Sequence, residues 1–113
     1  MDLLNLKELN NIPDVPVKDL EIPEWNAKIQ VQGLTKAKQV ELARISTDED
    51  KDAFDYQKAL LKASVINPEL DDDAIDKLYQ KDAKIIDRIF IEISDINGIG
   101  GDAQAEMSDE FQE

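Results

Sequence analysis

Three groups of residues in this chain have types and spacings from which chemistry could be built. Asp48, Asp50 and Asp52 alternate as the opening ligands of a calcium loop do. That loop also needs a glycine at its sixth position, for the sharp turn, and a bidentate glutamate at its twelfth. Counted from Asp48, Ala53 and Ala59 stand there, so the run reads as a solvated capping segment. Asp71, Asp72 and Asp73 read as the acidic first turn of a helix, where carboxylates complement the helix dipole. Gly98, Gly100 and Ala103 match the bare pattern G-x-G-x-x-A. A dinucleotide loop needs a strand before that pattern and a helix after it; here a helical pattern precedes it and an acidic run follows.

The remaining routes to catalysis are equally thin. The chain has no histidine and no cysteine, which removes the commonest general base, the commonest metal ligand and any thiolate chemistry. With 26 Asp and Glu residues, carboxylate pairs arise by chance throughout, and no Ser or Lys stands in a nucleophile motif. The sequence therefore assigns no catalytic residue, no metal site and no cofactor.

The elements that would position a binding surface are better marked. At 113 residues the chain is one domain's worth, and it can bury enough surface to fold without disulfide or metal. Charged residues make up 35% and the formal net charge is −13, against a usual charged share of about 25%. A charge of that size favours solubility and repels nucleic acid and anionic membrane. No signal peptide is visible, and no apolar run approaches the roughly 20 residues a membrane helix needs. The cytosol is the expected compartment.

Residues 1–17 read as a flexible or short helical arm carrying Leu3, Leu4, Leu6 and Leu9, ended by Pro13 and Pro16. From 18 to about 33 the alternation of Leu20 and Ile22, the turn Pro23-Glu24-Trp25-Asn26, and the alternation of Ile29 and Val31 predict a β-hairpin. Two strands are rarely stable alone, so the hairpin must pack on helices, with Trp25 a candidate anchor. Helices are expected over about 35–97. The first is capped by Thr35 and carries Ala37, Val40, Leu42, Ala43 and Ile45. The second, capped by Ser46 or Thr47, carries Ala53, Tyr56, Leu60 and Ala63, with Phe54, Leu61 and Val65 beside them, and ends at Asn67-Pro68. A third starts at Asp71–Asp73. A fourth, after a bend near Lys81-Asp82, bears the strongest stripe in the chain, Ile86, Ile89, Phe90, Ile93 and Ile96, and stops at Asn97-Gly98. Residues 99–113 hold five carboxylates and no base and read as a disordered acidic tail. The expected fold is α+β: a mainly helical domain, 18–98, with a small N-terminal hairpin.

Two features suit protein binding: the arm leucines Leu3, Leu4, Leu6 and Leu9, able to dock in a partner groove, and the wide apolar face of the helices, which reads first as plain core; Trp25 in the hairpin turn is a further candidate contact residue. The order of features also resembles a known family. A polar arm leads to Ile22-Pro23-Glu24-Trp25, a strand Lys28–Gln32 runs into Gly33-Leu34-Thr35, and helices close with Ile93-Ser94-Asp95-Ile96-Asn97-Gly98-Ile99-Gly100 before an acidic tail. Over residues 18–100 this is similar to the tail assembly chaperones of long-tailed bacteriophages and of prophages in Gram-positive hosts. The chain departs from their pattern in having Asn26 where glycine usually follows the tryptophan, and in lacking a Glu-Arg pair within Lys36–Gln39. The resemblance implies a non-catalytic protein of the host bacterial cytoplasm, absent from the mature virion. The partners the resemblance implies are the phage tape measure protein and the tail tube protein, together with self-association. An alternative reading from charge and size is an acidic DNA mimic that inhibits a nucleic-acid-binding protein. The even spread of Lys and Arg over 28–88 works against the uniform acidic face such a mimic needs.

Overall fold

The computed structural model describes residues 1–98; the expected acidic tail, 99–113, lies outside them. The alternating apolar positions form the hairpin anticipated: β1 (Val17–Ile22) pairs antiparallel with β2 (Ala27–Gln32), Leu20 opposite Ile29 and Ile22 opposite Ala27. Period-two alternation sends Leu20, Ile22 and Val31 to one face, where all three are buried. The turn between the strands is a single 3-10 turn, Pro23–Trp25. It closes through Asn26 at φ 50°, a left-handed conformation that Asn and Gly adopt far more readily than other residues.

The helices are α1 (Lys36–Ser46), α2 (Ala53–Ser64), α3 (Asp72–Leu78) and α4 (Ala83–Ile96). Thr35 caps α1 by accepting from the Lys38 N–H, Asp71 caps α3 by accepting from the Ala74 N–H, and Asp82 caps α4. The stripe of α4 turns inward as its period requires. Ile85, Ile86, Ile89 and Ile93 are buried, and Phe90 and Ile96 pack beside them. This face lies on the apolar side of the hairpin, and both join one core with Leu61, Val65 and Ile75.

Three expectations are corrected. The second helix does not run to Asn67: it ends at Ser64, and Val65–Asn67 form β3, which pairs with β2 to give a three-stranded antiparallel sheet in the order β1-β2-β3. Two successive β-branched residues, followed by an asparagine that Pro68 biases away from helix, favour the strand; a helical count at Val65 misses this because Val65 is buried in either geometry. The cap of α2 is Asp52, which forms a reciprocal capping box with Asp55, and not Ser46 or Thr47. Their hydroxyls instead donate back to the Ala43 and Arg44 carbonyls, ending α1. The inward stripe of α2 is also rotated from the one expected, with Leu61 and Ser64 buried while Ala53 is exposed and Tyr56, Leu60 and Ala63 are only half-buried. Helix α1 lies at the edge of the fold, burying Leu42 alone and leaving Val40 exposed.

Two joints lock α4 to the sheet. Asn97, just beyond the helix, accepts from the Leu34 N–H at 2.7 Å and donates to the Ile93 carbonyl at 2.8 Å. A Cβ at Gly33 would stand 3.4 Å from the Asn97 Oδ1, an ordinary contact, and 3.1 Å from the Pro16 ring, so a side chain there would press on the proline. At the other end, Arg88 donates both guanidinium nitrogens to the Glu24 carboxylate, each at 2.8 Å.

Asn97→Ala should cost about 1–3 kcal/mol, because it strands a half-buried N–H and loses a helix-end contact. Ile93→Ala should cost about 2–5 kcal/mol. Ser64 is fully buried and its hydroxyl has no hydrogen-bond partner among the described residues, so Ser64→Ala should be neutral or stabilising. Urea denaturation of the three variants checks this order.

Candidate protein-binding surface

The arm has little local reason to be rigid. Residues Leu6–Asn11 form a 3-10 helix, started by the Asn5 side chain accepting from the Lys7 N–H at 3.0 Å and ended by the Ile12 N–H donating to the Leu9 carbonyl at 3.1 Å. Such helices are short and poorly bonded. None of its residues is buried; Leu3 is 97% exposed, Leu6 74%, Leu4 64% and Leu9 49%. The chain is first gripped at Pro16, whose carbonyl accepts from the Gly33 N–H at 2.9 Å. Among the described residues the four leucines thus form one apolar segment with no partner.

Trp25 is placed differently. It is half-buried against the core, held by the turn that Asn26 closes and that Glu24 ties to Arg88. With Ile29, Leu61, Leu70, Leu78 and Ile89 it walls an almost wholly apolar pocket of about 310 Å³. The structure does not bring Trp25 and the arm together. The arm leaves the hairpin where Val17 pairs with Gln32, and the pocket lies by the end where Ile22 pairs with Ala27. The pocket was not foreseeable from the sequence, since its walls come from the Pro23–Trp25 turn, β2, α2, β3, the Pro68–Leu70 link, α3 and α4. The one local signal was Leu70, an apolar residue in a linker.

The candidate chemical groups are occupied with structure. The Asp48 carboxylate accepts from the Asp50 N–H at 2.9 Å, while Asp52 and Asp71 cap helices. Among the described residues no cluster of three or more His, Cys, Asp or Glu is arranged to hold a metal. No helix among them is long and apolar enough to cross a membrane.

The surface charge is mixed. Lys51, Lys58 and Lys62 share a shallow hollow with Asp55 and Asp72. Exposed ion pairs join Lys18 to Glu92, Lys28 to Asp19, Lys38 to Glu41, Lys62 to Asp72, Lys77 to Asp73 and Arg88 to Glu24. Singly such pairs contribute little. They do hold carboxylates below their ordinary range: Glu24 through its hydrogen bonds from Arg88, Glu41 through Lys38 and Asp72 through Lys62; Asp55 is lowered separately, by the Asp52 backbone N–H of the capping box. Lys18 is raised by its bond to Glu92.

A carboxylate with a depressed folded-state pKa contributes stability above its unfolded value, and that contribution is lost as pH falls through the folded one. The ordinary values are 4.5 for Glu and 3.8 for Asp, so this loss begins below about pH 4.5. The melting temperature should therefore hold from neutral pH down to about pH 5 and fall below about pH 4.5; a circular-dichroism melt series across about pH 3–8, the span in which carboxylates titrate, checks that shape. The Lys18 pair adds a contribution that fades only as pH climbs past 10.5.

Compared with protein-family models, with curated proteins and with solved structures, the chain finds no match.

Proposed function

We propose that this chain is a non-catalytic tail assembly chaperone of a long-tailed bacteriophage or prophage. It acts in the host bacterial cytoplasm, binding the tape measure protein and keeping it soluble until the tail tube forms around it, and it is not retained in the virion. The observation that carries this reading is the arm: Leu3, Leu4, Leu6 and Leu9 are all exposed on a small body of strongly negative charge. Such a protein can cover apolar stretches of a long helical client while its charge keeps the coated complex from aggregating.

The segments on which the family resemblance rests also have connected roles in the fold. Pro23-Glu24-Trp25 is fixed to α4 by Arg88, and Gly33-Leu34-Thr35 meets Asn97. Asn26, which departs from the glycine usual in the family, adopts a left-handed backbone that glycine also favours. The mixed-sign surface favours this reading over a DNA mimic.

Co-expression with the tape measure protein of the same phage or prophage, followed by affinity capture, tests the proposal. The complex should be recovered, and the double variant L3D/L6D should lower recovery at least about tenfold, since each buried leucine is worth about 1.5–3 kcal/mol. Raising salt from about 0.1 M to about 1 M, which shortens the Debye length from about 10 Å to about 3 Å, should leave an apolar contact largely intact. Capture of a nuclease or DNA-binding protein in place of the tape measure protein, lost at high salt, would overturn the proposal in favour of the mimic.

A further inference from the structure

The sheet runs β1-β2-β3, so β1 has a neighbour on one side only. The register fixes which of its groups face outward. In an antiparallel ladder, pairs that exchange hydrogen bonds alternate with pairs that do not. The Gly33 N–H donates to the Pro16 carbonyl at 2.9 Å. By alternation Lys18–Val31, Leu20–Ile29 and Ile22–Ala27 are the bonded pairs, and Val17, Asp19 and Glu21 turn their N–H and C=O groups away from β2. Gln30, opposite Asp19, turns away in the same manner, and it is the residue that meets β3 at Asn67. Among the described residues no turn or loop backbone hydrogen bond reaches Val17, Asp19 or Glu21. The other edge is a poor template, since β3 has three residues and its pairing is irregular at Gln30/Val31. We infer that β1 accepts an added strand from a partner: an extended segment, antiparallel to β1, with basic side chains at alternate positions.

The side chains select that occupant. Leu20 and Ile22 point to the core, so Val17, Asp19 and Glu21 share the outer face of β1, where all three are exposed. A residue directly opposite Asp19 or Glu21 on an added strand comes within about 4.5–5.5 Å at Cβ, close enough for an opposite charge to favour pairing and a like charge to oppose it. Lys28 shows the arrangement from the β2 side. It stands opposite Glu21, and its ammonium lies 3.5 Å from the Asp19 carboxylate, to which the Gln30 amide also donates at 3.0 Å. Basic residues at two alternate positions of the added strand would set the two carboxylates between two rows of donors. An apolar residue two places further on would cover Val17. A second copy of the chain is the wrong occupant: β1 paired with its own copy about Asp19 sets Asp19 against Asp19, in a chain of net charge −13. Charges on an edge strand ordinarily guard against such pairing. Here the outer face of β1 carries one sign only, so it turns away acidic strands and admits basic ones. The edge is separate from the leucine arm, and the inference does not depend on the identity of a client.

The test titrates the isotopically labelled full chain with a synthetic peptide, Thr-Lys-Thr-Lys-Thr-Val-Thr, blocked at both ends, and follows backbone amides by NMR. The amides of Val17, Asp19 and Glu21 should shift most and exchange more slowly with solvent. Two control peptides separate the terms. One carries glutamate in place of lysine; the other is methylated at both lysine backbone nitrogens, which keeps every charge and removes ladder donors. Each should bind at least about tenfold more weakly than the parent. The variant D19K/E21K, changed only at exposed positions, should reverse the preference between the lysine and glutamate peptides, and L3D/L6D should bind as the wild type does. A methylated peptide that binds as well as the parent reduces the effect to general charge attraction and overturns the proposal. Amide shifts centred away from β1, or no binding at about 1 mM peptide, also overturn it. So does β1 exchange that slows with protein concentration in the absence of peptide, which would assign the edge to a second copy. None of these readouts involves the tape measure protein, whose capture is measured separately.

Discussion

The apolar contact between α4 and the hairpin is the constraint on which the rest of the fold depends. A three-stranded sheet with one strand of three residues is marginal by itself, and a single 14-residue helix is marginal in water. Each has one apolar face. Ile85, Ile86, Ile89 and Ile93 supply the helix's, and Leu20, Ile22 and Val31 the sheet's. Brought together they bury both and leave α2 and α3 to seal the flank with Leu61 and Ile75. Isoleucine suits this use: it is stiff at χ1, so little side-chain freedom is lost on packing.

Polar joints then set the register of that contact. Asn97 accepts from one segment and donates to another, so α4 cannot slide along its axis without stranding a half-buried N–H. The Arg88–Glu24 fork fixes the turn that carries Trp25. Among the described residues the arm leaves its leucines exposed, Val17, Val40 and Ile91 are exposed elsewhere, and the Trp25 pocket has apolar walls. That division suits the binding role proposed above: a closed core for stability, an exposed segment for contact, and a charged surface that limits non-specific association.

What could be read before folding, and what could not, follows from the range of each signal. The hairpin, the cap at Thr35, the acidic start of α3 and the stripe of α4 are local patterns, each decided within one or two turns or a strand's length, and they appear where the sequence predicts them. Strand β3 was hidden because three residues are too few to show a period, and its partner, β2, lies more than thirty residues earlier in the chain. The inward face of α2 was misjudged because its apolar residues surround much of the helix; tertiary contact selects Leu61 and Ser64. The arm's leucines were legible as candidates since amphipathic residues before a pair of prolines have no local partner. The pocket beside Trp25 was not legible, since seven separate segments build it.

Hydrogen–deuterium exchange on the dilute full chain tests most directly the claim that a closed body carries an open arm. Amides of β2 and of α4 around Ile86–Ile93 should be the slowest to exchange, protected together as one cooperative unit. Amides of Leu3–Ile12 should exchange near the rate of an unstructured peptide, and slow when the tape measure protein is added. An arm as protected as the hairpin in the dilute chain, or one whose exchange is indifferent to that client, would contradict the account.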